Sequence, residues 1–193
     1  MPEGSRGIAF DALTEEWRLV GTMHVVGRLS DVLNRRETVA IGDVRWAPID
    51  DPAALAPVPG LKALDPYDLI VVLAGPDSVP PMTDAEREAH RVHKVAYDVA
   101  LEVPPFRVVG TVHLYPGSEP ERLLDRATEM FIPATDAYVF VAGRELEWAR
   151  GQTVLVNRFY LRGIEQIDRR TLQRDVPLPG QPLGGTSWRE RAR

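Results

Sequence analysis

The sequence of 193 residues contains no cysteine. Structural disulfides and zinc sites built on thiolates are therefore excluded. Long apolar runs are missing as well, because even the segment from Leu69 to Ala74 is far too short to cross a bilayer. The N-terminus has no basic stretch followed by an apolar one, so we predict no secretory signal. We expect a cytoplasmic protein that makes no membrane contact.

Motifs that would fix a reaction are also missing from the sequence. It contains no Gly-x-Ser-x-Gly nucleophile elbow, no phosphate-binding loop and no His-Glu-x-x-His pair. The four histidines are not joined by a third metal ligand at a known spacing. We therefore expect no cofactor and no required metal ion, and the sequence names no catalytic residue.

The charge of the chain is uneven. Residues 169–193 carry six arginines and two acidic residues, a net charge of about +4, whereas the rest of the chain carries about −9. Affinity for nucleic acid comes largely from neutralising phosphates with Lys and Arg, and an acidic body repels them. We therefore do not expect a nucleic-acid partner.

A heptad that occurs twice is the main positive feature of the sequence. Arg18-Leu-Val-Gly-Thr-Met-His24 returns as Arg107-Val-Val-Gly-Thr-Val-His113, with five of the seven positions identical. A short segment rich in Leu, Arg and Asp follows each copy, at 28–35 and 121–126, and an apolar stretch comes next. This pattern predicts a duplicated unit made of a strand, a short helix and further strands.

The predicted fold is α+β and mostly antiparallel β. Strict alternation predicts a strand over 94–103, and a continuous apolar run predicts a fully buried strand over 68–74. Three helices are expected, over 28–35, 83–93 and 120–128. Because closure removes exposed strand edges, we expect two small barrels or one pseudo-symmetric barrel. The expected units are a first repeat with connector and helix (1–103), a second repeat (104–168) and a flexible or docked basic tail (169–193).

Three segments of the second copy carry a resemblance to a known family. They are Val108-Val-Gly-Thr-Val-His113, Phe131-Ile-Pro-Ala-Thr-Asp136 and Val154-Leu-Val-Asn-Arg158. Together they resemble an uncharacterised bacterial family of duplicated small β-barrel domains of the Sm/SH3-like class. The resemblance implies a barrel fold and no known activity.

Candidate ligand-binding residues come from the repeated heptad: Gly21, His24, Gly110 and His113. A glycine inside a strand marks a bulge, a close approach of another backbone or a notch that faces a ligand. The paired histidines could hold a metal ion or could be exposed strand residues, and His90 and His93 form a second pair on a predicted helix. The repeat-related carboxylates of Asp43 and Asp136 could act as an acid/base pair or could be turn residues.

The function expected from these features is a non-catalytic, β-rich interaction module that acts through protein contacts, as an assembly, scaffold or regulatory component. A homo-oligomer or another protein is the expected partner. Trp188, Arg189 and Arg191 of the basic tail are candidate partner-binding residues. One alternative is a small-ligand sensor with a pocket between the two repeats. Another is an enzyme that depends on carboxylates or histidines.

Overall fold

The computed structural model describes residues 5–78, 94–125, 129–168 and 173–174, which form a 13-stranded antiparallel sheet with one α-helix. The helix is α1 (Leu29–Asn34). Short 3-10 turns at Pro66–Asp68, Pro76–Ser78, Pro120–Leu124, Glu147–Ala149 and Arg158–Tyr160 connect strands. The strands are β1 (Arg6–Leu13), β2 (Trp17–Val25), β3 (Val39–Pro48), β4 (Ala56–Pro57), β5 (Ala63–Leu64), β6 (Val71–Ala74), β7 (Val95–Val103), β8 (Phe106–Leu114), β9 (Phe131–Val141), β10 (Arg144–Glu145), β11 (Gln152–Asn157), β12 (Gly163–Asp168) and β13 (Gln173–Arg174).

The strands run through the sheet in the order β13-β12-β7-β8-β9-β11-β6-β1-β2-β3-β4, with β10 beside β9 and β5 beside β3. We call residues 5–78 the first half and residues 94–168 the second half. Each half has the same internal order, β6-β1-β2-β3-β4 in the first and β12-β7-β8-β9-β11 in the second. Antiparallel pairing between β11 and β6 joins the halves into one sheet.

The two strands at this join are buried on both faces. Val71 and Leu73 of β6 pack into one hydrophobic core with the second half, whereas Val72 packs into the other core with the first half. We call these two cores the second-half core and the first-half core. β11 divides its residues in the same way, because Val154 and Val156 pack into the second-half core and Leu155 packs into the first-half core. A strand with two buried faces needs apolar residues at every position. The buried strand predicted over 68–74 is therefore confirmed for residues 71–74, whereas Asp68 is an exposed residue of the preceding 3-10 turn.

The strand predicted over 94–103 is confirmed as β7. Its apolar residues Tyr97, Val99, Leu101 and Val103 all face the second-half core. It pairs along its whole length with β8, from Val95↔Leu114 to Val103↔Phe106. β7 thus forms a hairpin across the unit boundary expected at residue 103. The mostly antiparallel character of the fold is confirmed as well.

The expected α+β fold of duplicated barrels is wrong, because the described part of the chain forms one open sheet. Neither half closes on itself there, and the sheet ends at β13 and at β4. The pairing of β11 with β6 removes one exposed edge from each half, which was the physical reason for expecting closure. The described residues therefore do not form the barrel fold that the resemblance implies, and the resemblance itself stays a prediction.

The expected helices are also only partly right. Residues 28–35 contain α1, which buries Leu29, Val32 and Leu33 at the helical spacing i, i+3 and i+4. Residues 120–128 instead begin with a 3-10 turn, whose buried residues Pro120 and Leu123 lie three apart, the period of a 3-10 helix. The helix expected over 83–93 lies outside the described residues.

Candidate functional site

The two repeated glycines lie at equivalent β-bulges. Gly21 of β2 lies where the register with β3 shifts, and Gly110 of β8 lies where the register with β9 shifts. A Cβ atom on Gly21 would lie 2.8 Å from the Gly42 carbonyl oxygen, and one on Gly110 would lie 3.0 Å from the Thr135 carbonyl oxygen. The backbone of the neighbouring strand thus fills the space in which a ligand-facing notch would have to lie.

The repeated carboxylates occupy the strands opposite these glycines. Asp43 has φ 52° and Asp136 has φ 48°, the left-handed region that Asp and Asn adopt more readily than most residues. Each is the first of the two bulge residues in its strand, β3 or β9, that lie opposite the glycine. Because these strands belong to different halves, the structure does not bring the two carboxylates together.

The histidines of the heptad are also far apart. His24 on β2 and His113 on β8 are separated by five strand positions, about 24 Å measured along the sheet. His24 borders a depression beside Arg35 and Glu37, while the His113 Nε2 atom lies 3.2 Å from the Thr135 hydroxyl. Among the described residues, no group of three or more His, Asp or Glu side chains could hold a metal ion. The ligand-binding role expected for the heptad residues stays a prediction.

Several expected residues lie outside the described ranges. They are His90 and His93 and the candidate partner-binding residues Trp188, Arg189 and Arg191. Of the expected tail, the structure describes only β13, which pairs with Ile167 and Asp168 of β12. Within the part of the chain that is described, no helix is long and apolar enough to cross a membrane.

A cluster of aromatic side chains lies where the two halves join. The rings of Tyr67 and Phe159 stack with centroids 5.6 Å apart and planes 10° apart, and they belong to different halves. The Tyr160 hydroxyl donates to the Tyr67 carbonyl oxygen at 3.1 Å. The guanidinium of Arg36 lies 5.4 Å from the centre of the Phe159 ring. We call Arg36, Tyr67, Phe159 and Tyr160 the junction surface.

The aromatic residues are placed by two similar turns. Asp65 accepts a hydrogen bond from the Tyr67 amide at 2.9 Å, and Asn157 accepts one from the Phe159 amide at 3.0 Å. Each turn precedes the last strand of its half. The Asn157 side chain also donates to the Leu69 carbonyl oxygen at 2.7 Å, which ties the second turn to the first. Asp and Asn favour such turns because their side chains bond the backbone two residues later.

Tyr67 and Arg36 extend from these supports into solvent. Tyr67 is 44% exposed although it stacks on Phe159, which itself packs against the first-half core. Arg36 follows α1 with φ 61°, a left-handed conformation that glycine usually supplies at the end of a helix. A non-glycine residue in this conformation costs about 1–2 kcal/mol. The backbone conformation at this position therefore favours glycine over arginine.

Burial and nearby negative charges both raise the pKa of Tyr160. Its partial burial raises the pKa of the phenol above the ordinary value, and the negative charges of Glu15 and Asp68 raise it further. Both effects favour the neutral phenol, whose hydroxyl donates to the Tyr67 carbonyl oxygen. Glu15 and Asp68 are both exposed, so they supply negative charge at the edge of the junction surface.

Arg158, next to the aromatic turn, is a buried support. It is 5% exposed, and its guanidinium donates to the carbonyl oxygens of Leu123 at 2.8 Å and Arg122 at 3.0 Å, as well as to that of Asp125. Burial lowers the pKa of Arg158, while the charges of Asp125 and Glu129 oppose the change. The side chain thus anchors the loop after the Pro120–Leu124 turn.

The heptad arginines form ion pairs with acids of the preceding strand. Arg18 binds Asp11 at 2.5 Å and lies 3.9 Å from the centre of the Trp148 ring, so it also links the two halves. Arg107 lies 3.2 Å from Glu102 on β7. The repeated arginine is therefore a structural residue in each half, which the sequence alone did not indicate.

A cavity of about 300 Å³ lies between the two halves. α1 contributes Asp31 and Asn34 to its wall, and the second half contributes Glu129, Phe131 and Leu155. The cavity therefore combines apolar and charged groups from both halves. The small-ligand sensor, expected as an alternative with a pocket between the repeats, stays a prediction.

Comparisons with protein-family models, with curated proteins and with solved structures find no match to this chain. The junction surface must therefore be judged from its own chemistry. The sequence did hold a signal for it: an Asp or Asn precedes an aromatic residue by two positions at Asp65 and at Asn157.

Proposed function

We propose that this protein is a non-catalytic interaction module that associates through the junction surface. The observation that carries the proposal is the exposed Tyr67 ring, which stacks on Phe159, while the Tyr67 backbone carbonyl oxygen accepts a hydrogen bond from Tyr160 of the second half. Tyr and Arg dominate the energetic centres of protein interfaces because they combine apolar area with polar tips. A ring that is already fixed loses little conformational entropy when a partner binds.

A second copy of the chain is the partner that fits this surface best. Most soluble oligomers are two-fold symmetric, so a dimer surface must be complementary to itself. The junction surface carries the positive charge of Arg36, and the negative charges of Glu15 and Asp68 lie near Tyr160 at its edge. A two-fold axis through the stacked rings would set Arg36 of one copy against an acid of the other.

Exchange of charges tests this proposal. Arg36→Glu and Asp68→Arg should each weaken dimer formation about tenfold, and the double variant should recover most of the loss. The measurement is the dissociation constant from sedimentation equilibrium at low salt. Equal affinity in all four proteins would contradict the proposed surface.

A second candidate function is binding of a small molecule in the cavity between the halves. Its volume lies at the lower end of the range for ligand sites, and groups from both halves line it. Thr153 of β11 also lines the cavity, so Thr153→Phe should fill it. Fragments that bind the wild-type protein in ligand-observed NMR should lose binding to this variant. Fragment binding that persists would place the ligands elsewhere.

We also infer that the two halves arose by duplication. The repeated heptad, the common strand order and the paired bulges at Gly21 and Gly110 support this inference. A cytoplasmic location remains part of the proposal.

A further inference from the structure

A second apolar surface lies on the outer face of the second half, away from the second-half core. Ala100, Val109 and Ile167 are buried there, and Tyr138 and Phe140 pack against them. A groove of about 480 Å³ opens beside Val109 and Phe140. We call it the outer groove. Its other apolar walls are Pro104, Pro105 and Phe106, and Glu102 and Arg107 lie at its charged side.

The first half shows that the fold does not require this apolar face. In the first half, Val20 pairs with Asp11 on one side and with Arg45 on the other. In the second half, the equivalent Val109 pairs with Ala100 and with Tyr138. Charged residues thus occupy positions in one half that apolar and aromatic residues occupy in the other. Because Tyr138 and Phe140 are only half-buried, this face can bury further apolar area against an occupant.

The size of the face favours a peptide segment. Four strands of about five residues each cover about 300 Å², whereas a stable protein interface buries about 800 Å² on each partner. A segment that belongs to the same chain needs less area, because the tether raises its effective concentration to the millimolar range.

The C-terminal residues 175–193 begin beside this face. β13 ends at Arg174, which pairs with Ile167, and Ile167 belongs to the apolar face. Trp188 lies fourteen residues after Arg174, and a chain of about 14 residues has a root-mean-square end-to-end distance of about 20 Å. Four neighbouring strands have a width of about 19 Å. Trp188 can therefore reach the outer groove.

The charges of the outer groove and of the segment around Trp188 are complementary. Arg107 lies 3.2 Å from Glu102 and 3.8 Å from Glu165, so two carboxylates share one cation and leave a negative charge at the groove. Trp188 is followed by Arg189 and Arg191. We propose that residues 175–193 bind the outer groove of their own chain, with Trp188 against Val109 and Phe140 and with the arginines near Glu102 and Glu165.

Because the chain has no cysteine, a pair of introduced thiols can test this contact in the full-length protein. Ala142 lines the outer groove and is exposed, and Ser187 precedes Trp188. Ala142→Cys with Ser187→Cys should form an intramolecular disulfide about tenfold faster than a control pair. The control is Tyr115→Cys with Ser187→Cys, since Tyr115 is 59% exposed and does not line the groove. Adding Trp188→Ala to the first pair should reduce its rate to that of the control.

Three results would overturn the proposal. Equal rates for the two pairs would show that the segment has no preference for the groove. A disulfide that joins two chains would show that the segment binds a second copy instead. A fast intramolecular disulfide that Trp188→Ala leaves unchanged would show that Trp188 is not the anchor.

Discussion

Asn34 binds both backbone groups of Phe131 with its side-chain amide. Its Oδ1 atom accepts from the Phe131 amide at 2.7 Å, and its Nδ2 atom donates to the Phe131 carbonyl oxygen at 3.2 Å. Asn34 ends α1 in the first half, whereas Phe131 begins β9 in the second half. One side chain thus joins the only α-helix among the described residues to the other half of the sheet.

Removal of this amide should weaken the join between the halves. Asn34→Ala leaves the amide and the carbonyl group of Phe131 without their partner, which should cost about 2–3 kcal/mol. Urea unfolding monitored by circular dichroism measures the change in free energy. Asn34→Asp keeps the acceptor but sets a carboxylate oxygen against the Phe131 carbonyl oxygen, so it should destabilise the protein as well. No loss in either variant would show that water replaces the side chain.

The glycines of the heptad should tolerate no side chain. Gly21→Ala places a methyl group 2.8 Å from the Gly42 carbonyl oxygen, and the backbone must move to accept it. We expect a loss of about 1–3 kcal/mol. Gly75→Ala is the matched control, because no atom lies within 4 Å of its Cβ position. Chemical denaturation of both variants tests the expectation, and equal stabilities would rule out the close approach.

The sequence alone predicted the parts of the fold that local patterns determine. Alternation identified β7, and the apolar run identified the buried strand at Val71. The heptad indicated special backbone at Gly21 and Gly110. The open sheet was not predictable, because the pairing of β11 with β6 depends on contacts between distant segments. The junction surface was missed because Tyr67 and Phe159 lie in turns, which follow no hydrophobic period.

A change at Arg36 should weaken dimer formation without lowering the stability of the fold. Arg36→Gly relieves the left-handed backbone conformation, so the free energy of unfolding should stay the same or rise by up to about 1 kcal/mol. The same change removes the cation of the junction surface, so dimer formation should weaken. Thermal unfolding and sedimentation measure the two effects. A drop in stability would assign Arg36 a structural role instead.

Ionisation of Tyr160 should contribute to the loss of stability at alkaline pH. Because its pKa is raised in the folded protein, its contribution to stability is complete below the unfolded value of about 10. The contribution is lost as the pH rises from there through the folded pKa. Tyr160→Phe should remove this part of the alkaline destabilisation. Urea unfolding over the alkaline range tests it, and an unchanged pH profile in the variant would contradict the assignment.

The most direct test of the central claim is sedimentation equilibrium of the wild-type chain, Tyr67→Ala and Tyr115→Ala. Both tyrosines are largely exposed, at 44% and 59%, but only Tyr67 belongs to the junction surface. We predict a concentration-dependent dimer whose dissociation constant rises at least about tenfold in Tyr67→Ala, a loss of about 1.4 kcal/mol or more. Tyr115→Ala should behave as the wild type does. A monomer at all concentrations, or equal weakening by both changes, would contradict association through the junction surface.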